Sequence, residues 1–180
     1  MDKVLLIGFR AVGKTTVGKL LSRALNWDFI DTDQEVQNIS GKTIKEIVET
    51  EGWETFRSIE KEVLVRLVDR KEIVIALGGG GILHQQEIKA LKSKALVVWL
   101  KASPETIIER MLKDEKTLKE RPKLTSEDLT SEVLQVLKLR EPLYREVADL
   151  SIDTEQKSPK EILDLILKQL KNQNMVGEII

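Results

Sequence analysis

The chain has no cysteine and a single histidine, His84. The first lack removes disulfide frameworks and thiolate metal sites, and the second removes any multi-histidine centre. No apolar run approaches the roughly 20 residues of a membrane-spanning helix. No repeat, low-complexity segment or linker divides the chain. An excess of one charge is lacking too: 29 Lys and Arg face 30 Asp and Glu, for a formal net charge of −1 over 180 residues. A general nucleic-acid binder carries a basic excess, so that class is set aside. The first residues read as a core strand and not as a secretion signal. The expectation is a single domain over residues 1–180, cytoplasmic, with neither a membrane nor a nucleic acid as partner.

Against these absences stands one stretch, Gly8-Phe9-Arg10-Ala11-Val12-Gly13-Lys14-Thr15. It fits G-x-x-x-x-G-K-[ST], the phosphate-binding P-loop. The apolar run Val4-Leu5-Leu6-Ile7 precedes it, and Val17, Leu20, Leu21, Ala24 and Leu25 follow at helical spacing. A strand, a glycine-bounded loop and a helix start gather backbone N–H groups around one point. The helix dipole adds partial positive charge there and Lys14 a full one, which suits the β- and γ-phosphates of a nucleotide. Thr15 offers a hydroxyl oxygen to Mg²⁺.

Apolar runs recur at residues 4–7, 28–31, 73–77, 95–100 and 150–153, with helical patterns between them. Such alternation predicts an α/β fold with five parallel strands and helices on both faces. Helices are expected to start near Lys14, Gln34, Thr43, Glu54, Gln85, Pro104, Ser131 and Ser158. Ser103-Pro104 and Ser158-Pro159 read as N-caps followed by proline at the first helical position. The last helix carries Ile162, Leu163, Ile166, Leu167 and Leu170 on one side, a docking face. Residues 113–124 break the alternation: they are highly charged and interrupted by Pro122. Two readings stand, a solvated loop or a mobile lid that excludes water from a transferring phosphate. A frayed tail is expected over residues 172–180.

Ligands of open parallel sheets bind beyond the carboxyl ends of the strands. There the sequence places the P-loop, then Asp31-Thr32-Asp33, then Gly78-Gly79-Gly80-Gly81. Two aspartates two apart at a strand end can face one side, one holding Mg²⁺ through water and the other taking a proton from a substrate hydroxyl. The alternative is that one of them only caps the next helix. The glycines either make a tight turn or let the backbone approach a ligand. Composition does not single out any arginine as functional.

The order of these motifs resembles shikimate kinase, a small P-loop kinase of the nucleoside-monophosphate-kinase type. The likeness runs from Val4 to about Leu170. It rests on Gly8 to Thr16, Asp31-Thr32-Asp33, Phe56-Arg57 with Glu60, Gly78-Gly79-Gly80, Arg121-Pro122, and Arg140-Glu141-Pro142-Leu143-Tyr144. The resemblance implies a three-layer αβα domain with a five-stranded parallel sheet, a P-loop and a mobile lid, and a monomer. It implies ATP and Mg²⁺ as cofactors and shikimate as the acceptor, phosphorylated on its 3-hydroxyl on the route to chorismate and aromatic amino acids. Ala11, Val12, Gly13, Lys14, Thr15 and Thr16 would then cradle the nucleotide, with Arg110 against the adenine and Arg121 closing on the phosphates. Thr15 and Asp31 would serve the metal. Asp33 would bind shikimate hydroxyls and act as base, with Lys14 and Arg121 as its catalytic companions. Arg57 and Arg140 would clamp the carboxylate, with Gly79 and Gly80 supplying backbone contacts.

The chain departs from the family pattern in Ala11 and Val12, where a further glycine is usual, and in Lys123 within the lid. Arg10 has two readings, reaching phosphate or pointing to solvent. A gluconate kinase shares the P-loop but needs no arginine pair at these positions. A non-catalytic nucleotide-binding regulator would need neither a base nor a lid arginine. A GTPase is set aside because the chain has no Asn-Lys-x-Asp and no Asp-x-x-Gly.

Overall fold

A computed structural model describes residues 2–114 and 128–173. Five strands are present, β1 (Lys3–Ile7), β2 (Asp28–Asp31), β3 (Ile73–Ala76), β4 (Ala95–Lys101) and β5 (Leu150–Asp153). All pair in parallel, in the order β2-β3-β1-β4-β5. Leu5 of β1 stands level with Ile75 of β3 and Val97 of β4. A parallel sheet buries both faces of its inner strands, which is why β1, β3 and β4 are almost continuously apolar, while the edge strands β2 and β5 are only partly buried.

The described helices are α1 (Lys14–Leu25), α2 (Thr32–Ser40), α3 (Ile44–Leu67), α4 (Gln85–Lys92), α5 (Pro104–Lys113), α6 (Leu129–Val147) and α7 (Pro159–Asn172). Side chains of β1 point alternately to the two faces. Val4 and Leu6 join one core with Val17 and Leu21 of α1, Ile107 of α5, Val133 of α6 and Ile166 of α7. Leu5 and Ile7 join the other with Val36 of α2, Leu64 of α3, Leu91 of α4 and Tyr144 at the end of α6. Leu5 is fully buried, so cutting it to alanine would cost about 2–5 kcal/mol. The three-layer αβα architecture is the expected one.

Local chemistry sets the helix starts. Thr43 and Glu46 form a reciprocal capping box before α3, and Ser158 and Glu161 form another before α7. Ser103 caps α5 ahead of Pro104, as the sequence suggests. Two boundaries differ from expectation. The α2 helix begins at Thr32 and not near Gln34, because the Asp31 carboxylate accepts from the N–H groups of Asp33 and Gln34. The α6 helix begins at Leu129 and not near Ser131, because Asp128 caps it. The helices expected from Thr43 and Glu54 are both present and meet at a kink within α3 at Gly52, whose φ of 86° and ψ of 169° are not helical. A side chain there would strain the backbone, so glycine makes the bend.

One charge lies wholly inside. Lys3 is 0% exposed, and its ammonium donates to the Val68 carbonyl at 2.9 Å and pairs with Asp2 at 3.2 Å. It ties the amino end of β1 to the chain leaving α3, on the side of the sheet away from the P-loop. No described helix is long and apolar enough to cross a membrane.

Candidate active site

β1, β3 and β2 are neighbours in the sheet, so the loops at their carboxyl ends lie side by side. The P-loop leaves β1 and enters α1 at Gly13, which has φ 92° and no capping side chain. No acidic residue occupies the first turn of α1. The N–H groups of that turn and its positive dipole end suit an anion. The Lys14 ammonium curls over the loop, donating to the carbonyls of Gly8 at 2.9 Å and Phe9 at 2.6 Å. A cleft of about 330 Å³ opens here, lined by Ala11, Gly13, Lys14, Thr15, Thr16 and Asp31 among others. The Val12 side chain is 1% exposed and packed in the core, and Val12 does not line the cleft.

At the cleft floor the Thr15 hydroxyl donates to Asp31 Oδ2 at 2.6 Å, while Asp31 Oδ1 caps α2. Asp31 thus caps the next helix, one of the two readings the sequence offered, and its other oxygen takes the Thr15 hydroxyl. A hydroxyl and a carboxylate oxygen beside an anion site suit Mg²⁺, which takes few protein ligands and completes its shell with water and phosphate. No group of three or more His, Cys, Asp or Glu forms a metal cage among the described residues, as that coordination style requires.

Arg110 of α5 covers the far end of the P-loop. It donates to the Ala11 carbonyl at 3.3 Å, and to the Thr154 hydroxyl and carbonyl at 3.0 Å each. The loop after β5 is thereby joined to the rim of the nucleotide cleft. Arg121, Pro122, Lys123 and most of the expected lid lie outside the described residues, as does the tail beyond residue 173.

A second cavity adjoins the first. Asp33 and Arg10 line both, and Arg57, Glu60, Gly80 and Arg140 line the second. Asp33 is 7% exposed and lies in the first turn of α2, not at the end of the strand. The helix start, and not strand alternation, aims its carboxylate over Gly78. A methyl on Gly78 would stand 2.1 Å from Asp33 Oδ1. The glycine run makes the tight turn of the two readings offered, with Gly81–Leu83 forming a single 3₁₀ turn, and its bare backbone leaves room for the Asp33 carboxylate. Gly78 N–H donates to Thr32 Oγ1 at 2.7 Å, and the Gly79 carbonyl accepts from the Tyr144 hydroxyl at 3.0 Å, so the run is pinned from both sides.

Two guanidinium groups meet over those glycines. Arg57 lies against Gly80, with its Cζ 5.0 Å from the Phe56 ring centroid and 5.4 Å from that of Trp53. It donates to Glu60 Oε2 at 2.5 Å. Arg140 reaches over Gly79 from α6 and is 6% exposed. Burial lowers its pKa from the ordinary value; the Tyr144 phenol opposes that shift and the Arg57 charge adds to it. Burial also pushes the Tyr144 phenol up to about 12, so it stays a neutral donor to Gly79. Two adjacent cations, partly stripped of water, have the chemistry to pair with a carboxylate.

The family model for shikimate kinase matches residues 10–171. The chain belongs to the shikimate kinase family. A shikimate kinase of Syntrophus aciditrophicus is 38% identical over 178 residues, covering 94% of this chain and 91% of that protein. One of Hahella chejuensis is 40% identical over 168 residues, covering 93% and 85%. A shikimate kinase of Acinetobacter baumannii, solved in complex with shikimate, superimposes with a TM-score of 0.88 at 36% identity, over 98% of this chain and 96% of that one.

Within this shikimate kinase fold, several residues of the site escaped the sequence reading. Arg10 neither points to solvent nor stands alone: its side chain is 10% exposed and pairs with Glu132 of α6 at 3.7 Å. Glu132, Val133, Val136, Leu137, Arg140 and Tyr144 are the buried residues of α6. Charged residues on an otherwise apolar stripe were the available signal. Glu60 gives the same signal on α3, between Phe56 and Leu64. His84, within 3.0 Å of Glu60 Oε2, had no local signature.

Proposed function

We propose that the chain catalyses ATP- and Mg²⁺-dependent phosphorylation of the 3-hydroxyl of shikimate, giving shikimate 3-phosphate in aromatic amino acid biosynthesis. One observation carries the reading: the Asp33 carboxylate lines both the P-loop cleft and the arginine pocket. A small polyhydroxylated acid held by Arg57 and Arg140 would present a hydroxyl beside Asp33, facing the terminal phosphate of a nucleotide in the cleft. Membership of the family supports the same substrate.

Each side chain then has a task. Arg57 and Arg140 bind the acid, with Gly79 and Gly80 leaving room for the guanidinium groups. Asp33 accepts the hydroxyl proton or orients the hydroxyl; a loose transition state asks little of a base, and orientation alone removes much of the barrier. Lys14 leaves its two loop carbonyls for the transferring phosphoryl group, while the Gly13–Thr16 amides hold the phosphates. Thr15 and Asp31 would hold Mg²⁺, which neutralises phosphate charge when bound. Arg110 flanks the adenine. Arg121, placed by the family resemblance alone, would close with a lid over residues 113–124. The remaining elements of the reading are one domain, a monomer, and a cytoplasmic location.

ADP release with a panel of hydroxy acids tests this. Release with shikimate and not with gluconate is expected. The reverse pattern would indicate a gluconate kinase, and tight ATP binding without release for any acceptor would indicate a regulatory nucleotide-binding module.

A further inference from the structure

Glu60 is 1% exposed, and a buried carboxylate needs compensation. Its Oε2 receives Arg57 Nη1 at 2.5 Å and faces His84 Nε2 at 3.0 Å. Its Oε1 has no hydrogen-bond partner among the described residues. One oxygen therefore carries both contacts. A ring nitrogen facing a carboxylate oxygen at that distance bears a proton, so His84 is either the neutral Nε2–H form or the imidazolium.

The backbone of His84 belongs to the glycine turn. Its N–H donates to the Gly81 carbonyl at 3.1 Å, and its carbonyl accepts from Ile88 N–H at 3.0 Å as α4 begins. The ring is 13% exposed. The same turn that sets Gly79 and Gly80 beneath the arginines thus holds the imidazole against Glu60, and Glu60 holds Arg57. We propose that His84 is a positioning residue for recognition of the acceptor's carboxylate, acting through Glu60 on Arg57 and strengthening acid binding when protonated. The inference rests on the acid-clamp reading of the arginine pocket.

The charge argument has a definite sign. With neutral His84, Arg57 alone balances Glu60, and part of its charge is spent on that pair. With the imidazolium, two cations share one carboxylate, and a net positive charge is left for the incoming acid. The other charged or titratable groups around the cluster are Arg140 and Tyr144 from α6, Arg10 and Asp33, which line the same cavity, and Glu87 of α4, which pairs with Lys61 at 3.4 Å. Arg140 stays cationic and Tyr144 neutral through the neutral pH range. Histidine is the residue type in the cluster that can take up a proton in that range. The carboxylate of the acceptor is ionised throughout.

The test compares the full-length wild type with His84→Gln and His84→Ala, measuring KM for shikimate, KM for ATP and kcat at pH 6 and pH 8.5. In the wild type, KM for shikimate is expected to be about five- to tenfold lower at pH 6, as one added charge several ångströms from the ligand would produce. His84→Gln keeps a donor to Glu60 and loses the titration. Its KM should match the wild type at pH 8.5 and stay there at pH 6, with KM for ATP following the wild type. His84→Ala should raise KM for shikimate at both pH values. A pH response of KM for shikimate that persists in His84→Gln overturns the proposal. So does a wild-type KM in His84→Ala, or an equal change in both substrates' KM values. If the alanine variant does not fold, the glutamine variant decides alone. A wild type that releases no ADP with shikimate at either pH sinks the acid-clamp reading itself, an outcome distinct from an active wild type with indifferent His84 variants.

Discussion

In Gly80→Ala, the added methyl carbon would lie 2.2 Å from Arg57 Nη1, 2.6 Å from Nη2 and 2.7 Å from Cζ. Ordinary contact begins near 3.4 Å, so the guanidinium must retreat by about 1.2 Å. It is held from behind by Glu60 and flanked by the rings of Phe56 and Trp53, which leaves little room to retreat without turning away. The backbone is indifferent: Gly80 has φ −90° and ψ −15°, which alanine adopts freely. Replacing glycine at such a position stabilises a fold by about 0.4–1 kcal/mol through the unfolded chain. Turning the guanidinium away also takes a cation from the buried Glu60 carboxylate, which opposes that gain. Losing one charge-assisted hydrogen bond costs about 1.5–3 kcal/mol, or about ten- to a hundredfold in affinity. The expected result is a KM for shikimate raised by that factor and an unchanged KM for ATP, in a protein that still unfolds cooperatively. Coupled ADP-release assays and thermal unfolding measure both sides. An unchanged KM for shikimate would refute the placement of Arg57 in the acid clamp.

Four other substitutions, at three positions, probe the neighbouring parts. Asp33→Asn should lower kcat by at least about a hundredfold with little change in nucleotide affinity, since it keeps the shape and removes the charge; a variant near full rate would take Asp33 out of the chemistry. Asp31→Asn keeps a capping oxygen for α2 and should raise the Mg²⁺ concentration for half-maximal rate by about tenfold, without loss of stability. Asp31→Ala should do the same and also lose about 1 kcal/mol in denaturant unfolding, and equal stability of the two variants would count against the cap. Ala11 stands at φ 59°, in the left-handed region. Ala11→Gly relieves strain of about 1–2 kcal/mol against an entropic cost of about 0.5–1, so stability should rise by up to about 1 kcal/mol; a clear loss in a denaturant melt would show that the loop bears no strain.

The Ala11 angle sharpens one expectation. The family pattern usually has a further glycine in this loop, and here alanine stands in a conformation that glycine takes freely. The aspartate pair carries a second lesson. Spacing placed both residues at a strand end, but the strand stops at Asp31 and the helix begins one residue later. Where an element ends depends on which side chain can cap it, and both Asp31 and Asp33 were eligible by residue type.

By itself the sequence determined the five apolar strands, the P-loop, the helix caps at Thr43, Ser103 and Ser158, and the glycine run. Each of these follows from neighbours within a few positions: periodicity, a capping oxygen, or a φ only glycine tolerates. Only the tertiary structure decided which strands adjoin, and so that the ends of β1, β2 and β3 share a crevice. It alone set Glu60 against His84, Arg10 against Glu132, and Arg57 beside Arg140. These pairs join elements far apart in the chain, and a charge becomes costly or useful only once distant elements have taken the water from around it.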